Sequence, residues 1–214
     1  IKRVIGGHFN FVPQICQMLY DNKIEGYNVP QGAIAQMLRD NAAHKVGTIT
    51  SVGLGTFADP RNGGGRLSEK TTEDIVKIIE LEGQEQLFYP RIPIDVAFIR
   101  GTYADELGNV TMEKEMAPLD CTAQAMAVHN NGGIVVVQVE RVVKAGQLDS
   151  KLVKIPGIYV DYVVECDAHD PKQSQSINCT YDPAYSGNVQ VPVSSLEPKK
   201  LDAKKIIGRR AAME

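Results

Sequence analysis

Apolar positions recur along the chain with two alternating periods. Val4 and Ile5 form a short β-branched run. Phe11, Val12, Ile15, Met18 and Leu19 follow as a helical stripe that Asp21 and Asn22 end. Gly26 to Val29 reads as a strand. Pro30 stands where a helix starts, with Ala33, Ile34, Met37 and Leu38 as its buried face. Thr48 to Val52 is the next strand. The run Ile75 to Ile79 is β-branched and too short for a good helix, so it predicts a strand or an excursion. Leu87 to Tyr89 is a strand, and Asp95 to Arg100 is a buried strand ending at Gly101. A turn over 105–109 leads into a strand at Val110 to Met112.

Asp120 or Thr122 caps a helix that runs to about Asn131, with Ala123, Met126 and Ala127 on one face. Gly132 and Gly133 stop it. Ile134 to Val143 is the strongest apolar run and lacks clean alternation. That pattern predicts a central parallel strand covered on both faces. Tyr159 to Val164 is the last strand, with Tyr159 and Tyr162 expected in the core. From Asp167 to Lys200 apolar content collapses, as in a connector, and Lys204 to Glu214 reads as the start of an amphipathic helix. The alternation of strand and helix predicts an α/β fold, three layers deep, with a mainly parallel sheet.

The stretch Ser51 to Leu67 interrupts this alternation with glycines. Gly53, Gly55 and Ala58 fit the spacing of a dinucleotide-binding loop. That loop needs a helix to begin within it, and Asp59-Pro60 followed by Gly63-Gly64-Gly65 prevents one. The glycines are therefore read as a long loop leaving a strand end, with plain turn formation as the alternative.

Composition narrows the function. The 214 residues are 43% apolar and carry a net charge of -3, which gives no basic surface for nucleic acid. The longest apolar run, Ile134 to Val137, is too short to span a membrane. Cys16, Cys121, Cys166 and Cys179 are scattered, as are His8, His44, His129 and His169, so no metal-ligand spacing exists. Unpaired cysteines fit a reducing, cytoplasmic setting. Cys121, at a helix start, is read as structural. The chain opens on Ile1, so no targeting signal is readable, and both ends are expected to continue.

Several motifs in order carry a resemblance. They are Asn28-Val29-Pro30-Gln31-Gly32, Ser51 to Arg61 with Gly63 to Gly65, Arg100 to Asp105, Gly108 to Glu115, Gly132 to Glu140, and Val153 to Asp161. Together the chain resembles the family I coenzyme A transferases, of the type acting on acetate and propionate. The resemblance implies a CoA-transferase domain over residues 1–166, an interdomain connector over 167–201, and the first helix of a second such domain over 202–214. It implies a glutamate nucleophile beyond residue 214 and an earlier glycine-rich stretch that this sequence lacks. No catalytic residue is then expected here, and the chain alone is expected to be inactive.

The resemblance also implies partners and site residues. The partners are an acyl-CoA, a short-chain carboxylate, the second domain, and further copies in a homo-oligomer. Coenzyme A enters as substrate, with no cofactor and no metal. Gln31 and Gly32 at a helix start, Gly53, Gly55 and Thr56 in the glycine loop, and Glu113 and Glu115 beside Lys114 are the expected substrate-binding residues. The glycine loop is expected to offer bare N–H groups, and Gly53→Val to abolish transfer without unfolding the protein. Plainer alternatives stand beside these: a capping glutamine, a solvated charge run, and surface roles for Arg61 and Arg66 instead of CoA phosphates. A non-catalytic acyl-CoA-binding subunit or module is the alternative function. A sugar-phosphate isomerase would need a phosphate loop and an acid/base pair that are absent.

Overall fold

The structure is a computed structural model that describes residues 1–167, 170, 174–176, 179–198 and 200–214. His169 and part of the expected connector lie outside the described residues.

Strands β1 (Arg3–Gly6) and β2 (Glu25–Asn28) pair in parallel, joined by helix α1 (Pro13–Tyr20). Alternation along β2 separates two helical layers. Gly26 turns its bare Cα to Leu19 of α1, which leaves no room for a Cβ there. Tyr27, the next residue, points the other way and packs with Ala33 of helix α2 (Gln31–Ala42).

Strand β3 (Gly47–Thr50) does not join a parallel sheet. It pairs antiparallel with β5 (Gln84–Pro90), which also pairs antiparallel with β4 (Lys77–Leu81). The β4–β5 connection is a tight hairpin in which Glu82 and Gly83 both have positive φ. The excursion expected from Ile75 to Ile79 is this hairpin. Leu87 and Tyr89 of β5 share a core with Tyr27, Val29 and Ala33.

Strands β6 (Val96–Arg100), β9 (Ile134–Val139) and β12 (Tyr162–Glu165) form a parallel sheet with β9 at its centre. Helix α3 (Cys121–Asn130) covers one face, where Ala125 and Val128 meet Ala97, Ile99, Val135 and Val137. Gly132, at φ 75°, ends α3, as the glycine pair predicts. The long run to Val143 breaks after Val139. Its end forms β10 (Arg141–Val143), which joins β7 (Tyr103–Asp105), β8 (Val110–Thr111) and β11 (Val153–Ile155) in a separate sheet.

The face of β6 away from α3 is open. Phe98 is 81% exposed and Tyr162 of β12 is 60% exposed, which corrects the expectations of a fully buried strand and a core Tyr162. Tyr159 does pack on the core, from a short 3-10 turn, Gly157–Tyr159. Helices α2 and α3 lie side by side. The Asn130 side chain donates to Ala42 O at 2.8 Å and that of Asn131 donates to Asn41 Oδ1 at 2.9 Å. Helix α4 (Ala203–Ala211) is capped by Asp202, which accepts from the Lys205 N–H at 2.7 Å, and is exposed throughout. Among the described residues no helix is long and apolar enough to cross a membrane.

Candidate functional site

Three polar regions carry the expected site residues. The first lies at the carboxyl ends of β1 and β2. Gln31 opens α2, where the unpaired N–H groups of a helix start favour an anionic or carbonyl oxygen. Its amide lies over Gly7, where a Cβ would stand 2.6 Å from Gln31 Oε1. Gly32 faces open space. Gly7 and Asn28 line a cavity of about 200 Å³ with His8, Cys16 and Leu67. Parallel strand ends are where α/β folds bind ligands.

The second region is the glycine loop, and it is organised around Asp59. The loop's helix is a single 3-10 turn, Pro60–Asn62, so no dinucleotide phosphate site forms. The Asp59 carboxylate is buried. It accepts from the Gly55 N–H at 2.9 Å, the Arg61 N–H at 3.0 Å and the Arg61 guanidinium at 2.8 and 3.0 Å. The Arg61 guanidinium, and then the Gly55 N–H, hold the Asp59 carboxyl well below the usual carboxylate range. Arg61 also pairs with Glu85, so its charge is engaged within the protein. Arg66 pairs likewise with Asp74 at 2.8 Å.

Donors expected to be bare are thus partly occupied. Gly55 gives its N–H to Asp59, while Thr56 gives its hydroxyl to Gly53 O at 2.7 Å and its N–H to the same oxygen at 3.1 Å. What Gly55 leaves open is its Cα side, because a Cβ there meets nothing. Gly53 has φ 105°, and a Cβ on it would stand 2.6 Å from Tyr89 Oη and 3.0 Å from Leu87. Gly53→Val would therefore strain the fold, which corrects the expectation of a clean activity test. Gly65 ties the loop to β2: its carbonyl accepts from the Asn28 N–H at 2.7 Å, and its Cα lies against Asn28 O.

The third region lies at the carboxyl ends of β6 and β9. Glu115 accepts from Arg100 Nε at 3.0 Å and from Arg100 Nη2, and Arg100 Nη1 donates to Ser174 O. Lys114 Nζ reaches both oxygens of Glu140 at 2.7 Å. Its N–H donates to Thr102 Oγ1 at 2.9 Å, and its carbonyl accepts from the Gln175 side chain at 2.7 Å. Burial opposes the charge on Lys114, but Glu140 and then Tyr103 outweigh it and raise the pKa. Glu113 differs from all of these. Its Oε2 is buried and has no hydrogen-bond partner among the described residues.

A cavity of about 520 Å³ opens beside this cluster, lined by Phe98, Arg100, Glu115, Leu119, Cys121 and Gln175 among others. Burial first, then Glu115 and Asp120, push the Cys121 thiol up, which disfavours a nucleophilic thiolate.

The structure therefore joins Gln31 to Gly7, Gly53 to Thr56, and Glu115 to Arg100. Among the described residues no hydrogen bond or ion pair links Gln31 with Glu113 or Glu115. Sequence reading missed Gln175 and the Lys114–Glu140 pair, because residues that far apart in the chain share no spacing rule; it missed Asp59, whose partners are two and four residues away, because the aspartate was read only as the start of an Asp-Pro turn. Among the described residues no three His, Cys, Asp or Glu side chains converge as metal ligands would.

Residues 1–166 match the family model described as Coenzyme A transferase. The chain is 43% identical to acetate CoA-transferase YdiF of Escherichia coli O157:H7 over 215 aligned residues, 100% of this chain and 40% of that protein. It is 46% identical to caffeate CoA-transferase of Acetobacterium woodii over 193 residues, 90% of this chain and 36% of that protein. The crystal structure of the YdiF apoenzyme from E. coli O157:H7 superposes with a TM-score of 0.87 at 42% identity, covering 100% of this chain and 40% of that one. The same enzyme is known as a thioester complex with CoA, with a TM-score of 0.84 at 42% identity, covering 99% and 39%. The chain thus spans about 40% of the length of the YdiF enzyme it matches.

Proposed function

This chain belongs to the coenzyme A transferase family, and from that premise we propose that its protein moves coenzyme A between a short-chain acyl-CoA and a carboxylic acid such as acetate, propionate or butyrate. Residues 1–166 form one wall of the site in this reading, 167–201 are the connector, and α4 opens the second domain. The protein works in the cytoplasm as a homo-oligomer, and CoA enters as substrate. The nucleophile is a glutamate beyond residue 214. It attacks the thioester carbonyl and releases CoA thiolate, leaving a mixed anhydride. The thiolate returns to the enzyme's acyl carbon, which gives glutamyl-CoA and frees the first acid. A second acid then takes CoA by the reverse steps.

Each tetrahedral intermediate carries an oxyanion that needs a fixed donor. Gln31 is assigned that donor role, and its position carries the proposal: an amide at a helix start, over a glycine at a parallel strand end, beside a cavity. Gly32, and the Cα surfaces of Gly53 and Gly55 with Thr56, shape the lining that excludes water. Glu115 holds the Arg100 guanidinium toward the second cavity. Glu113, whose Oε2 is buried, backs the Lys114–Glu115 segment in this reading, and its charge disfavours a second carboxylate beside it.

Gln31→Ala in the complete protein tests the assignment. The acid-substrate kcat/KM is expected to fall about 100-fold, with an unchanged melting temperature, because Gln31 is exposed. An unchanged rate rejects the role. Acyl-CoA binding without any transfer by the wild-type protein would favour a non-catalytic binding module.

A further inference from the structure

Two adjacent residues of the chain after β12 reach both halves of the Arg100–Glu115 pair. Arg100 Nη1 donates to Ser174 O. The Gln175 side chain donates to Lys114 O at 2.7 Å, and Lys114 directly precedes Glu115. Gln175 is 7% exposed and shares the cavity wall with Arg100 and Glu115. Its carbonyl is used as well: Oε1 accepts from the Asp182 N–H at 2.9 Å. A buried glutamine that spends one end on its own segment and the other on a distant backbone ties the two together.

The segment is shaped to make these bonds. The Gln175 N–H donates to Thr180 O at 2.9 Å, and Ser176 and Cys179 exchange backbone hydrogen bonds at 3.1 Å. Residues 175–176 and 179–180 therefore pair as a small antiparallel ladder. Just beyond it, the Tyr181 ring lies 5.4 Å from Lys114 Nζ, and the Tyr103 ring of β7 lies 5.7 Å from the same atom. Two rings and the Glu140 carboxylate thus share one ammonium group. Lys114 is held at its N–H, its carbonyl and its side chain. Part of the stretch read as a connector makes these contacts, and it does so through polar atoms and one ring instead of an apolar stripe.

We propose that residues 174–176 and 179–182 form a clasp, and that Gln175 is a positioning residue. It fixes the turn that carries Glu115 and so sets the Arg100 guanidinium on the cavity wall. The inference rests on the CoA-transferase reading and deepens it, with acyl-CoA as the ligand at this cavity. The Arg100 guanidinium has more N–H donors than Glu115 and Ser174 use, and the remainder suit an oxygen of acyl-CoA. A guanidinium held from both sides keeps those donors aimed, and loosening the clasp lets them turn away.

Hydrogen exchange and kinetics of the full-length protein test the clasp together. In the wild type the amides of Gln175, Ser176 and Asp182 are expected to be protected. Gln175→Ala should speed exchange of that stretch about tenfold. It should also raise the acetyl-CoA KM about tenfold, with kcat changed by less than about twofold, because Arg100 binds and does not react. Lys114 does not line the cavity, so Lys114→Met should reproduce both changes only through the clasp. Lys114→Arg, which keeps the charge, should recover most of what Lys114→Met loses. Tyr181→Leu, at a partly exposed ring, takes the place of Gln175→Ala should that variant fail to fold. Unprotected amides in the wild type, or unchanged exchange in the variants, overturn the clasp. Faster exchange with an unchanged KM overturns the positioning role. A wild-type protein that shows the protection and transfers no CoA counts against the enzymatic reading and leaves the clasp standing.

Discussion

The glycine loop and the carboxylate cluster treat their polar groups in opposite ways. In the loop, Asp59 gathers the Gly55 N–H, the Arg61 N–H and the Arg61 guanidinium, and is satisfied within a few residues. In the cluster, Glu115 and Glu140 find partners far along the chain, and Glu113 keeps a buried oxygen with none. A region that satisfies itself holds its shape without help. A region with a buried unmet acceptor carries a desolvation cost that its own contacts do not offset. The difference makes the loop a self-contained unit and leaves the cluster dependent on contacts made far along the chain.

Gly65→Ala is expected to damage the loop most. The new Cβ would press on Asn28 O at φ 74°, and overpacking plus left-handed strain together cost about 3 kcal/mol. Urea unfolding measures it. Gly55→Ala is the control, since its Cβ meets nothing, and it should cost only about 1 kcal/mol. Equal losses at the two positions would mean that the loop is not locked onto β2.

Next in size is Arg100→Met, which leaves Glu115 half-buried without its partner. A loss of about 2 kcal/mol is expected, below the figure for a fully buried pair, because both groups keep some solvent contact. Acid titration gives a smaller effect. The Asp59 pKa is depressed in the folded state, so its contribution is complete above the unfolded carboxyl value, near about 4, and is lost as pH falls below it. The urea midpoint should fall between about pH 5 and about pH 3, and Asp59→Asn should flatten that slope. The smallest effect has the opposite sign. Glu113→Gln should stabilise the 214-residue chain by about 0.5 kcal/mol, because it removes charge from an unpartnered buried oxygen. A destabilisation would place a donor at Glu113 and erase the contrast between the two regions.

Much of the fold was legible from local signals. Periodicity located α2 and α3, glycine ended α3, and β-branching located β9. The excursion at Ile75 to Ile79 was visible as a run too short for a helix. The exposure of Tyr162 was not legible. An apolar residue on a parallel strand predicts a covered face, and nothing local reports that Tyr162 lies on an open one. The site divides along the same line. Gln31 and the glycines carry local signatures, at a helix start and in a loop. Arg100 at the end of β6 meets Glu115 only after the chain has passed through β7 and β8 of a separate sheet, and Lys114 finds Glu140 after a whole helix intervenes.

The central claim is that these residues line a transferase site whose covalent group comes from elsewhere in the protein. Borohydride reduction of the complete protein after incubation with acyl-CoA, followed by peptide mass mapping, tests it directly. Reduction of the glutamyl thioester converts the nucleophile's carboxyl to an alcohol. The account predicts that this mark falls on one glutamate outside residues 1–214. A mark on Glu113, Glu115 or any other carboxylate of this chain would contradict it.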